Sequence, residues 1–96
     1  MKNLAELLYH IHPQGDIAAC SAALPDLIGD SLGDEAAIER DTGRLLAVAS
    51  KALDAYRATP ATKRAQREAL VDLVTKAVER ALWVSSFDPS DPECMT

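Results

Sequence analysis

Apolar residues recur three and four positions apart along two long segments of the chain, and this spacing predicts two long α-helices. The first segment, residues 35–58, places on one helical face Ile38, Leu45, Leu46, Ala49, Leu53 and Tyr56. The second segment, residues 60–86, places on one helical face Ala69, Leu70, Leu73, Val74, Ala77, Val78, Ala81 and Leu82. At 1.5 Å per residue, the first helix is expected to be roughly 34 Å long.

The junction between these two helices is short. Thr59 is predicted to cap the second helix, and Pro60 is predicted to occupy its first position. Because so few residues connect them, the helices must run antiparallel. Their apolar arcs are widened by Val48, Val71 and Val84. Two helices alone cannot cover such arcs, so we expect amino-terminal helices, a second copy of the chain, or both to complete a bundle.

Two short helices are predicted ahead of this hairpin. Asn3 and Glu6 have the spacing of a capping box at the start of the first helix. That helix must end near His12, because Pro13 disfavours helical geometry in the residue before it. A second short helix is expected over residues 17–24, packed with the first on the hairpin.

The composition also indicates an all-α protein. The chain has 96 residues, of which 48% are apolar, and alanine, the strongest helix former, supplies much of that share. Its few aromatic residues are Tyr9, Tyr56, Trp83 and Phe87. Sandwiches and barrels use more bulky residues than this. We expect one helical domain over residues 1–86, followed by a flexible acidic tail over residues 87–96.

The charge pattern bears on the class of partner. The net charge is −5, so the overall field does not favour nucleic acid or an anionic membrane. No apolar run approaches the roughly 20 residues that a membrane span requires. Cys20 and Cys94 are too few for a disulfide framework. We therefore expect a cytoplasmic protein, and its modest size favours self-association as a homodimer or a higher homo-oligomer.

His10 and His12 form the most reactive-looking pair in the chain. A zinc site needs three or four ligands, and Cys20 is the other nearby candidate. Residues two apart on a helix point in nearly opposite directions, so the two rings converge only if the helix ends between them. We favour a structural interpretation: His12 lies at a helix carboxyl end, His10 flanks the core with Tyr9, and Cys20 is a small buried residue. No metal or cofactor is expected.

A basic cluster surrounds the hairpin bend and contains Arg57, Lys63, Arg64 and Arg67. Arg57 suits the carboxyl end of a helix, but the other three crowd the positive amino end of the next one. Such an uncompensated arrangement favours a binding site for phosphate, a nucleotide or an acidic protein surface. The alternative is a solvated tip balanced by neighbouring acids.

Two further features are candidate contact surfaces. Trp83 and Phe87 lie near the end of the last helix, where a tryptophan serves either as core or as an interface residue. The acidic residues that precede and begin the long helix are Asp26, Asp30, Asp34, Glu35, Glu39 and Asp41. We interpret them as a solvated face, with imitation of phosphates toward a basic partner as the alternative.

The sequence contains no phosphate-binding glycine loop, HExxH, paired CxxC or GxSxG motif, and no catalytic residue is predicted. The favoured hypothesis is a non-enzymatic protein that docks onto another macromolecule, foremost another protein, as an inhibitor, antiactivator or adaptor. Small acidic helical proteins of phage or bacterial regulatory origin, including counter-defence proteins of mobile elements, suggest this by analogy. The candidate contact residues are Arg57, Lys63, Arg64, Arg67, Trp83 and Phe87.

Two alternatives remain open. One is a binder of an anionic small molecule, such as a cyclic nucleotide, at the basic bend. The segment TKAVERALW, residues 75–83, resembles the last-helix pattern of phage proteins that sequester cyclic oligonucleotides, although this covers about a tenth of the chain and assigns no family. The other is a DNA-binding module, which the flanking acids disfavour.

Overall fold

The computed structural model describes residues 3–27 and 35–86, and every regular element in these two ranges is helical. The chain forms α1 (Leu4–His10), α2 (Ile17–Ala23), a 3₁₀ turn (Leu24–Leu27), α3 (Glu35–Ala58) and α4 (Arg64–Ser85). The predicted all-α fold, with two short helices packed on a long antiparallel hairpin, is confirmed.

The core lies between the hairpin and the two short helices. From α1 and α2 it takes Leu7, Ile11, Ile17 and Cys20, all fully or almost fully buried. From α3 it takes mainly small residues, namely Ala37, Ile38, Leu45, Val48, Ala49, Ala52 and Ala55. From α4 it takes Leu70, Leu73, Ala77, Ala81 and Val84. The alanines allow α3 and α4 to approach closely, and these two helices share the most extensive contact in the fold.

The core face of α3 is turned away from part of the predicted apolar stripe. Leu45 is fully buried as expected, but Leu46 and Leu53 are about half exposed. Ala52, which lies about 100° around the helix from Leu53, is buried instead. Close packing of alanines therefore outweighs burial of two leucines, which leaves these leucines at the surface.

Thr59 ends α3 instead of capping α4, so that prediction is wrong. Its hydroxyl donates a 2.7 Å hydrogen bond to the carbonyl oxygen of Ala55. A turn follows, in which the amide of Lys63 donates to the carbonyl oxygen of Pro60 at 3.0 Å, and α4 begins at Arg64. Pro60 is thus part of the bend and not the first residue of the helix.

The amino-terminal helices follow the predicted local signals. The side chain of Asn3 accepts a 2.8 Å hydrogen bond from the amide of Glu6, and α1 ends at His10. Asp16 caps α2 by accepting from the amide of Ala19 at 3.1 Å. The turn between these helices folds so closely onto α1 that a Cβ at Gly15 would collide with the carbonyl oxygen of His10.

The interpretation of the acidic stretch as a solvated face is wrong for Asp41. Its side chain is fully buried in the core side of α3, whereas Glu35 and Glu39 are exposed. One carboxylate oxygen of Asp41 lies 3.3 Å from Nε of Arg40 and 3.8 Å from a guanidinium nitrogen of Arg44. The other oxygen is buried without a hydrogen-bond partner. Asp30 and Asp34 of the same stretch lie outside the described residues.

Candidate functional site

The basic bend cluster, Arg57, Lys63, Arg64 and Arg67, is brought together at one end of the hairpin. Arg57 is in the last turn of α3, is 77% exposed, and lies 3.9 Å from the carboxylate of Asp54. Lys63 precedes α4, Arg64 is its first residue, and both are exposed. Lys63 occupies the N-cap position but makes no side-chain hydrogen bond to the first turn. This end of α4 therefore presents backbone amides and cations together, which is the combination that attracts anions.

Arg67 differs from the other three bases. Its guanidinium carbon lies 4.3 Å from the centre of the Tyr56 ring, a cation–π contact that joins α4 to α3. Its side chain is half-buried, and its Nε atom is buried without a hydrogen-bond partner. The Arg67 side chain thus helps to pack α4 against α3, and the other three bases are exposed at the bend.

Trp83 lies near the other end of α4 and is 45% exposed. It borders a cleft of about 460 Å³ that α4 forms with α2 and the 3₁₀ turn. The residues that line this cleft, here called the Trp83 cleft, are Ser21, Leu24, Pro25, Lys76, Glu79, Arg80 and Trp83. The guanidinium carbon of Arg80 lies 5.2 Å from the centre of the indole ring. An aromatic side chain beside a cleft, with cations at its rim, is typical of a protein-binding surface.

The candidate residues therefore fall into two separate places. Nineteen positions separate Arg64 from Trp83 along a continuous helix, which is about 28 Å at 1.5 Å per residue. A single small ligand cannot contact both. Phe87, the remaining candidate, lies outside the described residues.

A third surface did not appear among the sequence-based candidates. Four aliphatic residues on the open side of the hairpin are each between 44% and 65% exposed: Leu46, Leu53, Val71 and Leu82. We call this surface the hairpin face. Leu53, Tyr56, Val71 and Val74 line a shallow apolar groove along its middle, between α3 and α4. The wide apolar arcs predicted the existence of such a surface, but the residues on it depended on how α3 is rotated.

His12 lies just after the end of α1, near the position predicted for it. Nδ1 of His12 accepts a 3.2 Å hydrogen bond from the amide of Gln14, which supports the turn after α1. The ring of His10 meets the Tyr9 ring edge to face at 5.4 Å, but Tyr9 is 79% exposed and does not flank the core. Within residues 3–27 and 35–86, no three histidine, cysteine or acidic side chains come close enough to hold a metal ion.

Cys20 is buried, as predicted, and is a free thiol. Its Sγ donates toward the carbonyl oxygen of Leu7 at 3.9 Å. Burial raises the pKa of this thiol above its ordinary value of 9.0, and the negative charge of Asp16 raises it further. A nucleophilic cysteine needs a lowered pKa, whereas burial with a raised pKa is typical of a cysteine that packs in a core.

None of the described helices is both long enough and apolar enough to cross a membrane. No family model matches the chain, and neither a curated protein nor a solved structure does.

Proposed function

We propose that this chain is a non-enzymatic binding protein that docks onto another protein through the Trp83 cleft, as an inhibitor, antiactivator or adaptor. The observation that carries the proposal is the position of Trp83, which is nearly half exposed beside a cleft between α4 and the 3₁₀ turn. Tryptophan is the residue most enriched among those that dominate binding energy, because it buries a large area at low entropic cost.

The lining of the Trp83 cleft indicates the chemistry of the partner. Leu24, Pro25 and Trp83 supply the apolar part of the lining, whereas Lys76 and Arg80 supply two cations and Glu79 supplies one carboxylate. Lys76 also forms an ion pair with Asp72: the ammonium group of Lys76 lies 2.8 Å from the carboxylate of Asp72. The cleft therefore fits an apolar side chain of the partner, and Arg80 at its edge can pair with one carboxylate beside that side chain. The buried free thiol of Cys20 is compatible with a reducing compartment, and we propose that the protein acts in the cytoplasm.

The test is capture of a partner from the native host with immobilised wild-type protein, followed by affinity measurement with the purified partner. Trp83→Ala is expected to weaken binding by about 30-fold or more, the effect of removing a dominant contact residue. Tyr9→Ala is the matched control, because Tyr9 is another exposed aromatic residue but lies on α1. Arg64→Glu is a second control at the bend.

Loss of binding with Trp83→Ala, together with retained binding in both controls, supports docking through the cleft. Unchanged binding with Trp83→Ala rejects the cleft as the contact surface. Circular dichroism of each variant must match that of the wild type, which the exposure of the three side chains makes feasible.

The second candidate function is binding of an anionic small molecule at the bend. The observation that favours it is the start of α4, where Lys63 and Arg64 stand beside a first turn that contains no acidic residue. Thermal stabilisation by a panel of linear and cyclic nucleotides measures this directly. A stabilisation that Arg64→Glu abolishes and Trp83→Ala preserves would favour the anion binder over the docking protein.

A further inference from the structure

We infer that the hairpin face is the seam of a symmetric homodimer, in which α3 packs antiparallel to α3 of the partner subunit and α4 packs antiparallel to α4. The hairpin face does not include the Trp83 cleft, so the dimer and the proposed function can be tested separately. Three observations carry it: the apolar residues on the face, their register across the hairpin, and the distribution of charge at its two ends.

The apolar residues of the face are placed as one two-fold axis requires. An axis that crosses α3 between Ala49 and Ser50 sets Leu46 against the partner's Leu53, and the converse. The same operation on α4 sets Val71 against the partner's Leu82. Each pair is formed twice, so all four exposed aliphatic residues of both subunits are covered.

These two pairings share one axis because of the register of the hairpin. Tyr56 and Leu53 lie beside Val71 and Val74 in the groove between the helices. With that register, the midpoint of Leu46 and Leu53 on α3 is level with the midpoint of Val71 and Leu82 on α4. If these exposed residues did not contact a second copy, there would be no reason for the residues of α3 and those of α4 to fit the same two-fold axis.

The small residues at the axis favour close contact. Ala49 is buried and Ser50 is exposed at the middle of α3, so neither side chain holds the two α3 helices apart. Leu46 and Leu53 lie on either side of this point of α3, so large side chains flank a small centre and can interdigitate with those of the partner subunit.

Charge selects the antiparallel arrangement. Glu35 and Glu39 are exposed at the start of α3, whereas Arg57 and the bend bases Lys63 and Arg64 are exposed at its other end. Glu39 and Arg57 are about 18 residues, or five full turns, apart, and therefore project from the same side of α3. The two-fold axis places Glu39 within about one turn of the partner's Arg57, and places Glu35 near the partner's bend. A parallel arrangement would instead put acids against acids and bases against bases.

The first experiment measures mass by sedimentation equilibrium over a roughly hundredfold range of protein concentration. The wild type is expected to sediment as a dimer, and Leu53→Glu is expected to raise the dimer dissociation constant by about a hundredfold or more, because two buried leucine contacts each receive a charge. Ala22→Glu is the matched control, since Ala22 is exposed on α2. A monomeric wild type, or a dimer that Leu53→Glu leaves intact, overturns the inference.

The second experiment tests the orientation with a charge exchange. Glu39→Arg alone and Arg57→Glu alone are each expected to raise the dissociation constant about tenfold, because two exposed pairs are replaced by like charges. The double variant restores the pairs with their signs reversed and is expected to return to near the wild-type constant. Additive weakening in the double variant rejects the pairing of Glu39 with Arg57 of the partner subunit.

The third experiment locates the axis. In a Cys94→Ser background, Ser50→Cys places two thiols across the axis, within the roughly 7 Å between Cα atoms that a disulfide tolerates. Mild oxidation is expected to give a covalent dimer. Lys51→Cys, one residue away but rotated about 100° further around α3 from Leu46 and Leu53, is expected to remain uncrosslinked. Equal crosslinking at both positions, or none at position 50, overturns the antiparallel two-fold arrangement.

Discussion

The side-chain amide of Gln66 donates a 2.9 Å hydrogen bond to the carbonyl oxygen of Gly15, and lies 3.4 Å from the carbonyl oxygen of His12. Gln66 belongs to the first turn of α4, and the two carbonyls belong to the turn between α1 and α2. One side chain thus ties the amino-terminal helices to the bend end of the hairpin, across more than fifty residues of sequence.

Gln66→Ala is expected to lower the free energy of unfolding by about 1 kcal/mol, because a partly buried carbonyl loses its donor. Urea denaturation measures the change. Gln14→Ala is the matched control, since the Gln14 side chain is exposed and only its backbone amide is used, in the bond to His12. Equal effects in the two variants would mean that the tie between α4 and the turn contributes nothing to stability.

Two glycines are expected to respond to alanine with opposite signs. At Gly15, an added Cβ would collide with the carbonyl oxygen of His10, so Gly15→Ala should cost about 1–3 kcal/mol as the turn is displaced from α1. At Gly43, inside α3, an added Cβ meets nothing within 4 Å. Gly43→Ala should therefore stabilise the protein by about 0.5–1 kcal/mol through helix propensity. Thermal and urea denaturation would show this contrast, and a loss of stability with Gly43→Ala would contradict it.

Asp41→Ala is expected to raise the free energy of unfolding by about 1 kcal/mol. Burial of a carboxylate costs several kcal/mol, whereas contacts with arginines at the surface return at most about 1 kcal/mol each. One carboxylate oxygen also lacks a hydrogen-bond partner, and alanine matches the neighbouring core positions of α3. Urea denaturation at low and high salt measures the change. A destabilisation of about 2 kcal/mol or more would show that the ion pairs outweigh desolvation.

Cys20 gives a prediction for alkaline pH. Its pKa is raised in the native state by burial and then by Asp16, so the native protein holds the thiol proton more tightly than the unfolded chain does. The stabilisation from this difference is complete below the ordinary thiol pKa of 9.0 and is lost as the pH rises toward the native value. The stability of the wild type relative to Cys20→Ala should therefore decrease as the pH rises through the ordinary thiol pKa of 9.0 and beyond it. A constant difference would contradict the shift.

Local signals predicted much of this fold. The cap at Asn3, the break around Pro13 and the two long periodic segments each depend on a few neighbouring residues, and all appear in the structure. The prediction for Thr59 was wrong because two local rules apply to its hydroxyl. The hydroxyl can cap a following helix, and it can also donate to the carbonyl oxygen four residues earlier, as it does here. Only the geometry of the bend decides between them.

The candidate surfaces show where local reasoning ends. The bases of the bend and Trp83 were identifiable by residue type, but their separation by the length of α4 required the helix to be continuous between them. The hairpin face required more, since the exposure of Leu46 and Leu53 depends on the rotation of α3 about its own axis. Periodicity gives the width of an apolar arc, and it does not give its direction.

The sequence by itself determined the helical class, the antiparallel hairpin and the excess of apolar surface, because each follows from spacing along a single helix or across one short connection. Tertiary structure decided which part of that surface is core. Alanines of α3 that pack closely against α4 turn Asp41 inward and leave Leu46 and Leu53 outside. That choice depends on the fit between helices distant in sequence, and a pattern along one chain segment contains no information about it.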